Sequence, residues 1–455
     1  MQYTDVERAG SYESTTRNVP ARGMLRKVIV SSILGNALEW FDFAVFGTFA
    51  AVISKLFFPA VNDVNSLLLG LATFGIAFAV RPIGGVILGV YADRYGRKRA
   101  LSLMILLMAL GTGLIGLLPT YASIGIAAPL MMVLARVIQG FSISGEFPSA
   151  SAMLVEFSPP NRRGLIGSAQ MCSQSLAYTV GAAFGYLMST SMSTDRFESW
   201  GWRIPFLLGI LVGPIGYYIR RKIDETPEFV SMISTRKQDV NLILKEALSR
   251  HSRELLAVFC IVVLITVSQY VVIIYVPIYA MRVLHLSMGG VQFSAVVSTV
   301  LIIGLCPLAG YLSDRWSRRA VMIPAVIVYN VITYTFVSRL LDSPSPENLI
   351  LFQVLGCSAI AFLWGPVPAL MTEVFPVGVR TTALSLVFNL AVLLFGGLAP
   401  FVITWVISVT GDRMVPVYYI MFSSVVGLVG LMLLRDTSPA TSPEQLNVTP
   451  LGLPH

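Results

Sequence analysis

The chain has 455 residues, of which 55% are hydrophobic and 12% are charged, and its mean hydropathy is +0.75. Soluble proteins carry about 25% charged residues, so this composition excludes a soluble globular protein, a disordered chain and a small disulfide-stapled scaffold. A polytopic helical membrane protein remains, and the length accommodates about twelve spans of roughly 20 residues with their loops.

Twelve apolar stretches follow one another along the chain. Each is long enough to cross a bilayer, and each must be helical because its backbone polar groups would meet no water there. The stretches lie near residues 28–50, 66–91, 100–118, 126–149, 165–188, 203–220, 255–280, 291–312, 320–340, 349–371, 381–408 and 416–434. The sequence therefore predicts an all-α membrane protein with twelve transmembrane helices.

An internal repeat divides these helices into two six-helix bundles. The Asp-Arg pair at Asp93 returns at Asp314, and Glu156 returns as Glu373 at nearly the same interval. Recurrence of two motifs indicates duplicated, pseudo-symmetric halves. The predicted organisation is a disordered cytoplasmic tail 1–24, an N-terminal bundle 25–220, a cytoplasmic linker 221–254, a C-terminal bundle 255–435 and a cytoplasmic tail 436–455.

The positions of lysine and arginine predict the orientation of the chain. With the N-terminus inside, the cytoplasmic segments hold 24 of the 32 basic residues and the outer segments hold 6. Such a bias places both termini in the cytoplasm. It also accounts for the net charge of +8 without a nucleic-acid partner, because the basic residues flank apolar stretches.

Several classes of function are excluded by what the sequence lacks. The four cysteines lie inside apolar stretches, and no cysteines or histidines have metal-ligand spacing, so no metal site is expected. No phosphate loop of the form Gly-x4-Gly-Lys is present, so ATP is not expected to supply the energy. We therefore expect no cofactor and no enzymatic activity.

Ionisable residues inside the spans are few and unevenly placed. Each costs about 2.5–3.5 kcal/mol on insertion scales, so such residues usually face a cavity or a partner. The N-terminal half holds Glu39, Asp42, Arg81, Arg136 and Glu146. The C-terminal half offers neutral polar groups, namely Gln269, Tyr270, Tyr275, Asn330 and Asn389. We predict that Glu39, Asp42 and Glu146 handle protons and that the C-terminal half contributes neutral contacts to a substrate.

Helical spacing groups the predicted binding residues. Arg136 and Gln139 share a face of the fourth helix, and the fifth helix carries a polar stripe with Tyr178. Arg136, the deeper of the two intramembrane arginines, could pair with a carboxylate and exchange it for an anionic substrate. The predicted substrate-binding residues are Arg136, Arg81, Gln139, Gln170, Gln174, Tyr270 and Asn389. The alternatives are that permanent ion pairs only fix helix packing, and that Arg81 snorkels or caps a helix.

The two Asp-Arg loops are predicted to form a cytoplasmic gate. An aspartate at a helix end can accept hydrogen bonds from the N-terminus of a neighbouring helix and from arginines, which would latch that side of the protein. The predicted gate residues are Asp93, Arg94, Gly96, Arg97, Asp314 and Arg315. The alternative is that the basic residues of these loops only set the topology.

The loop from Asp93 to Arg97 resembles the signature of the major facilitator superfamily. Further segments resemble one branch of that superfamily, the metabolite:proton symporters; they are Asn36–Phe43, Arg81–Gly85, Gln139–Glu146, Gly201–Phe206 and Arg220–Phe229. Ser317 departs from the glycine that is usual in the second loop motif. The gate of the C-terminal half is therefore expected to be less regular.

The resemblance implies two bundles with a substrate site between them near mid-membrane, and proton-coupled import of a small organic acid or zwitterion. It also implies a monomer in the lipid bilayer of a bacterial inner membrane. Thr372–Pro400 looks like the citrate-type members, whereas Met414–Tyr419 looks like the proline/betaine type. We predict import of a di- or tricarboxylate such as citrate or 2-oxoglutarate. The alternative is a zwitterion such as proline or betaine, whose ammonium would need an aromatic such as Trp40, Tyr270 or Trp364.

Overall fold

A computed structural model describes residues 22–60, 62–84, 87–88, 97–143, 146–221, 249–375 and 380–434. Within these residues the regular secondary structure is entirely helical. Eight helical segments there are long and apolar enough to cross a membrane, and Ser102–Leu117 and Ala127–Ser142 are shorter apolar helices. Each of the predicted spans overlaps helical residues, so the all-α membrane architecture is confirmed.

The described residues of the N-terminal half form a series of helices with short helical turns between some of them. The main helices are α1 Arg22–Phe57, α2 Asp63–Ala79, α3 Arg97–Leu117, α4 Ala127–Ser142, α5 Glu146–Glu156, α6 Arg163–Gly167, α7 Ala169–Ser191 and α8 Ile204–Arg221. A further helical turn after α2 carries Arg81. The fourth predicted span is thus divided into α4 and α5, with a break near Ile143.

The described residues of the C-terminal half begin with a helix that is almost entirely enclosed. The helices of this half are α9 Ser252–Val267, a π-helix Ser268–Tyr275, α10 Val276–Arg282, α11 Met288–Arg315, α12 Arg318–Asp342, α13 Pro346–Trp364, α14 Val367–Val374, α15 Arg380–Val392, a π-helix Leu393–Gly397, α16 Ala399–Thr410 and α17 Val415–Leu433. The segment Ser252–Arg282 is almost entirely buried inside the protein, whereas α11 and α12 expose much of their apolar surface. Exposed apolar surface of this kind is the part of a bundle that faces lipid.

Local capping explains several helix starts. Asn62 accepts a hydrogen bond from the backbone N–H of Asn65 at 2.8 Å and so begins α2. Ser317 accepts from Ala320 N at 3.1 Å at the start of α12, and Ser345 caps α13 in the same way. A side chain at the N-cap satisfies one of the backbone donors that a helix start leaves unpaired. Ser317 therefore has a local structural use that a glycine could not supply.

The two halves meet along a seam of closely packed helices, chiefly α7 against α11. Gly164 and Gly310 lie so close that a Cβ atom on Gly164 would come within 2.5 Å of the Gly310 carbonyl oxygen. We call the end of the bundle with Glu156 and Asp314 the inner face, and the end with Lys55 and Arg282 the outer face.

The predicted boundaries shift slightly in the structure. Helix α1 begins at Arg22, so the last residues of the predicted 1–24 tail are helical. Helix α9 begins at Ser252, inside the predicted 221–254 linker. Residues 1–21, 222–248 and 435–455 lie outside the described residues, so the division into domains stays a prediction.

Candidate transport site

Helix α1 presents two buried carboxylates, and each lies in a separate cluster. Glu39 and Asp42 are both buried, together with Trp40 and Phe43 between and beside them. Spacing of three residues places both carboxylates on neighbouring parts of one helix face. Tertiary packing gives each carboxylate a different arginine.

Asp42 lies in a hydrogen-bond network with helices α3 and α4, in which Arg136 Nε and Nη2 have no partner among the described residues. Arg136 Nη1 donates to Asp42 Oδ2 at 3.0 Å and to Gln139 Oε1 at 2.8 Å. The hydroxyl of Thr112 donates to Asp42 Oδ1 at 2.7 Å and accepts from Gln139 Nε2 at 3.0 Å. The guanidinium carbon of Arg136 also lies 3.5 Å from the centre of the Phe46 ring. The structure thus brings Asp42, Arg136 and Gln139 together within the N-terminal half.

Arg81 forms the second cluster, where the two halves meet. Its guanidinium lies 4.3 Å from the ring centre of Phe78 and 5.3 Å from that of Phe43. It interacts electrostatically with Glu39 from α1 and with Tyr270 from the C-terminal half. Arg81 Nε and Nη2 are buried and have no hydrogen-bond partner among the described residues. These two N–H groups lie along one edge of the guanidinium and suit a carboxylate bound through both oxygens.

Three aromatic rings lie close to the Arg81 cluster, two from the N-terminal half and one from the C-terminal half. The Trp40 ring centre lies 6.2 Å from that of Tyr178 and 6.4 Å from that of Tyr270. Tyr270 also packs edge-on against Phe78, with ring centres 5.4 Å apart. We call Trp40, Tyr178 and Tyr270 the aromatic triad. Aromatic faces of this kind attract ammonium groups through the ring quadrupole.

The π-helix Ser268–Tyr275 positions the contributions of the C-terminal half. Gln269 Nε2 donates to the Tyr178 hydroxyl at 2.9 Å and lies 3.4 Å from Gln174 Oε1. Trp364 donates from Nε1 to Ser268 Oγ at 2.9 Å and so holds this turn. A π-turn adds a residue to the helical repeat and redirects the side chains that follow, which is frequent at functional sites. Gln269, one of the neutral polar groups named in the sequence analysis, thus joins the C-terminal half to the polar stripe of α7.

Other predicted site residues lie elsewhere. Gln170 donates from Nε2 to the carbonyl of Phe147 at 3.3 Å and accepts from Ser151, so its amide joins α7 to α5. Asn389 is half-buried on α15. The side chain of Glu146 lies outside what the structure describes. Its role as a proton carrier stays a prediction.

At the inner face, Asp314 bridges the two halves. Its carboxylate accepts from the backbone N–H groups of Gly164 at 2.8 Å and Leu165 at 2.9 Å, at the start of α6. Arg318 Nη1 donates to the same carboxylate at 2.7 Å. Asp314 thus makes contacts with both halves, and its role as a latch stays a prediction. Arg315, by contrast, is exposed and lies over the ring of Tyr311, so Arg318 occupies the place expected for it.

Further ion pairs complete the inner face. Arg318 Nη2 lies 3.1 Å from Glu373 Oε1, and Arg163 lies 3.9 Å from the same oxygen. Arg380 Nη1 lies 2.5 Å from Glu156 Oε1 and joins α15 to α5. The predicted gate residues Asp93, Arg94 and Gly96 lie outside the described residues, and nothing is described of the Arg97 side chain.

The outer face is closed by Arg282 at the end of α10. Its Nη2 donates to the carbonyl of Ala51 on α1 at 2.8 Å, and its Nη1 lies 3.9 Å from the exposed carboxylate of Asp63. The halves are thus joined at both faces, and Arg81 is buried between them. We call the buried cluster of Arg81, Glu39 and the aromatic triad the central site.

A sequence model described as the Major Facilitator Superfamily matches residues 32–400 and 305–451. The chain belongs to this superfamily. The Proline/betaine transporter of Salmonella typhimurium is 34% identical over 438 residues, covering 91% of this chain and 84% of that protein. The Citrate-proton symporter of Klebsiella pneumoniae is 34% identical over 429 residues, covering 92% of this chain and 94% of that protein.

Solved structures support the same fold. The MFS proton:xylose symporter XylE bound to 6-bromo-6-deoxy-D-glucose superposes with a TM-score of 0.74 at 16% identity, covering 92% of this chain and 97% of that chain. A crystal structure of a D-xylose-proton symporter gives a TM-score of 0.72 at 18% identity. Membership in the Major Facilitator Superfamily places the chain among membrane transporters rather than enzymes.

Proposed function

We propose that this protein is a proton-coupled symporter that imports a small organic solute carrying a carboxylate, by alternating access between the two halves. The observation that carries the proposal is the unpaired Nε and Nη2 edge of Arg81, which interacts electrostatically with Glu39 and lies where the halves meet, whereas the equally unpaired edge of Arg136 lies within the N-terminal half. The proline/betaine and citrate-proton relatives support it, since each solute in their names carries a carboxylate.

Coupling follows from the contacts of Arg81. A guanidinium favours the ionised form of a neighbouring carboxyl group, and burial favours the neutral form. A substrate carboxylate that binds Arg81 competes with Glu39 for the positive charge. Glu39 then takes up a proton, and substrate and proton travel together. One proton that moves down about 150 mV contributes roughly 3.5 kcal/mol, enough for a several-hundred-fold gradient.

Charge balance favours a zwitterion as the substrate. Among the described residues of the site, the positive Arg81 and Arg136 are balanced by Glu39 and Asp42. A zwitterion places its single carboxylate at Arg81, whereas a di- or tricarboxylate leaves one or two carboxylates that would need a cation besides Arg136, which Asp42 already holds. The aromatic triad offers ring faces for an ammonium group beside the Arg81 edge. The geometry thus favours the proline/betaine alternative over the di- or tricarboxylate.

Import of a di- or tricarboxylate such as citrate is the second candidate. It is favoured by the citrate-proton relative, which is as similar in identity as the proline/betaine relative. In either case we propose a monomer in a bacterial inner membrane, with both termini cytoplasmic, driven by the proton gradient and without a cofactor.

Uptake into liposomes containing the purified protein tests both candidates. Labelled betaine, proline, citrate and 2-oxoglutarate are offered with and without an imposed pH gradient. We expect gradient-dependent accumulation of betaine or proline, together with a rise in the melting temperature on binding. Accumulation of citrate alone would assign the second candidate. Accumulation that is equal with and without the gradient would contradict proton coupling.

A further inference from the structure

Two phenylalanine rings, one from each half, lie face to face between the central site and the inner face. Phe147 on α5 and Phe388 on α15 have ring centres 4.4 Å apart and planes inclined by 10°. Both side chains are buried. Parallel rings at this distance make a close apolar contact. The stack therefore forms a direct side-chain bridge between the N-terminal and C-terminal halves.

The depth of the stack follows from the ion pair on the same two helices. Glu156 and Arg380 join α5 and α15 at the inner face. Phe147 precedes Glu156, and Phe388 follows Arg380, by a little over two helical turns each, which corresponds to about 12–14 Å at a rise of 1.5 Å per residue. The stack thus lies well inside the protein, behind the charged surface of the inner face.

A small cavity lies against the stack. Phe147 and Phe388 line it together with Gln174 and Gln269, which belong to the polar cluster around Tyr178. The rest of the lining is mainly apolar and includes Met171, Val262, Ile265 and Met371. Its volume of about 10 Å³ leaves room for about one water molecule. The stack therefore forms one apolar wall of this cavity, and Met371, two residues before Glu373 of the inner face, forms another part of it.

Each ring is held by its own half. The carbonyl of Phe147 accepts from Gln170 Nε2 at 3.3 Å, and Gln170 Oε1 accepts from Ser151 on the same α5 helix. Phe388 belongs to α15, which packs against α9 within the C-terminal half. Separation of the halves at the inner face therefore separates the two rings. This also gives Gln170 a use in positioning Phe147 in place of direct substrate contact.

We propose that Phe147 and Phe388 are coupling-determining residues: their stack is an apolar seal that denies water and protons a path between the central site and the inner face until the halves separate. The inference rests on the proposed proton symport. A proton crosses a membrane protein readily along a chain of water, and an apolar constriction interrupts such a chain by dewetting. Without the stack, a proton delivered to Glu39 would leave toward the inner face without substrate.

Proton entry into liposomes in the absence of substrate tests the seal. Wild type, Phe147→Ala and Phe388→Ala are reconstituted with a pH-sensitive dye inside, and proton flux is recorded under an imposed membrane potential. We expect both variants to leak at least about tenfold faster than wild type, because removal of a ring lets water fill the constriction. Phe147→Leu, which keeps an apolar side chain, should leak less than Phe147→Ala.

Phe422→Ala is the matched control. Phe422 stacks on Phe395 with ring centres 6.3 Å apart, but both rings belong to the C-terminal half and Phe422 is 53% exposed. It should leak no more than wild type. Equal leak rates for Phe147→Ala, Phe388→Ala and Phe422→Ala would overturn the seal. Substrate-driven proton entry by wild type is measured in the same liposomes; its absence would refute the proposed symport, whereas the leak comparison needs no substrate.

Discussion

Arg136 Nη1 lies 3.0 Å from Asp42 Oδ2, and the two side chains are 0% and 2% exposed. A buried ion pair is costly to form, but removal of one partner leaves the other charge uncompensated and costs about 3–5 kcal/mol. Thr112 and Gln139 add hydrogen bonds to the pair, while Arg136 Nε and Nη2 have no hydrogen-bond partner among the described residues. Loss of either partner alone should therefore destabilise the N-terminal half.

We predict that Asp42→Asn lowers the free energy of unfolding by about 3–5 kcal/mol, because Arg136 remains charged and buried. The double variant Asp42→Asn with Arg136→Gln should recover part of this loss, since no charge is left unpaired. Thermal unfolding of the detergent-purified variants measures both. A single variant as stable as wild type would contradict the prediction.

Glu39→Gln should abolish accumulation of substrate against a gradient while leaving counterflow exchange intact. The amide cannot release a proton, but the site can still change its orientation with substrate bound. Uptake and counterflow in the same liposomes measure the two activities. Glu198→Gln, which removes only the surface pair with Lys55, is the control and should accumulate substrate normally. Normal accumulation by Glu39→Gln would shift the proton carrier to another carboxylate.

Arg81→Lys should weaken substrate binding at least about tenfold, because an ammonium cannot reproduce two parallel N–H donors. Arg136→Lys should weaken binding less: its Nε and Nη2 are also unpaired, but its Nη1 is held by Asp42 and Gln139 and it lies within the N-terminal half. Equilibrium binding of the two variants side by side provides the measurement. If Arg136→Lys loses more affinity than Arg81→Lys, the substrate carboxylate binds at Arg136 on α4, the arginine that the sequence places deeper in the membrane.

Asp314→Asn should slow transport while leaving substrate affinity within about threefold, because its contacts with Gly164, Leu165 and Arg318 lie at the inner face. An amide can accept only through its oxygen and loses the charge-assisted bond to Arg318. Uptake rates at saturating substrate and binding affinities measure the two effects. Asp342→Asn, at the exposed end of α12, is the control. A loss of affinity with a normal maximal rate would be inconsistent with a latch.

The sequence determined the architecture of this protein. Apolar stretches of bilayer length can only be helices in lipid, so the helical membrane architecture was predictable from the length and order of these stretches. The concentration of buried charges in the N-terminal half was also visible, because an ionisable residue inside an apolar stretch stands out. The position of Asp314 at the end of a helix was also predictable, because it directly follows an apolar stretch.

Only the tertiary structure decided which of these groups meet. Spacing put Glu39 and Asp42 on one face of α1, but the packing of α4 and the Arg81 turn against α1 paired Asp42 with Arg136 and left Arg81 near Glu39. The same holds for Phe147 and Phe388, which are ordinary apolar residues on distant helices. Hydrophobicity is non-directional, so it dictates that such rings are buried, whereas the register between helices dictates which ring each one touches.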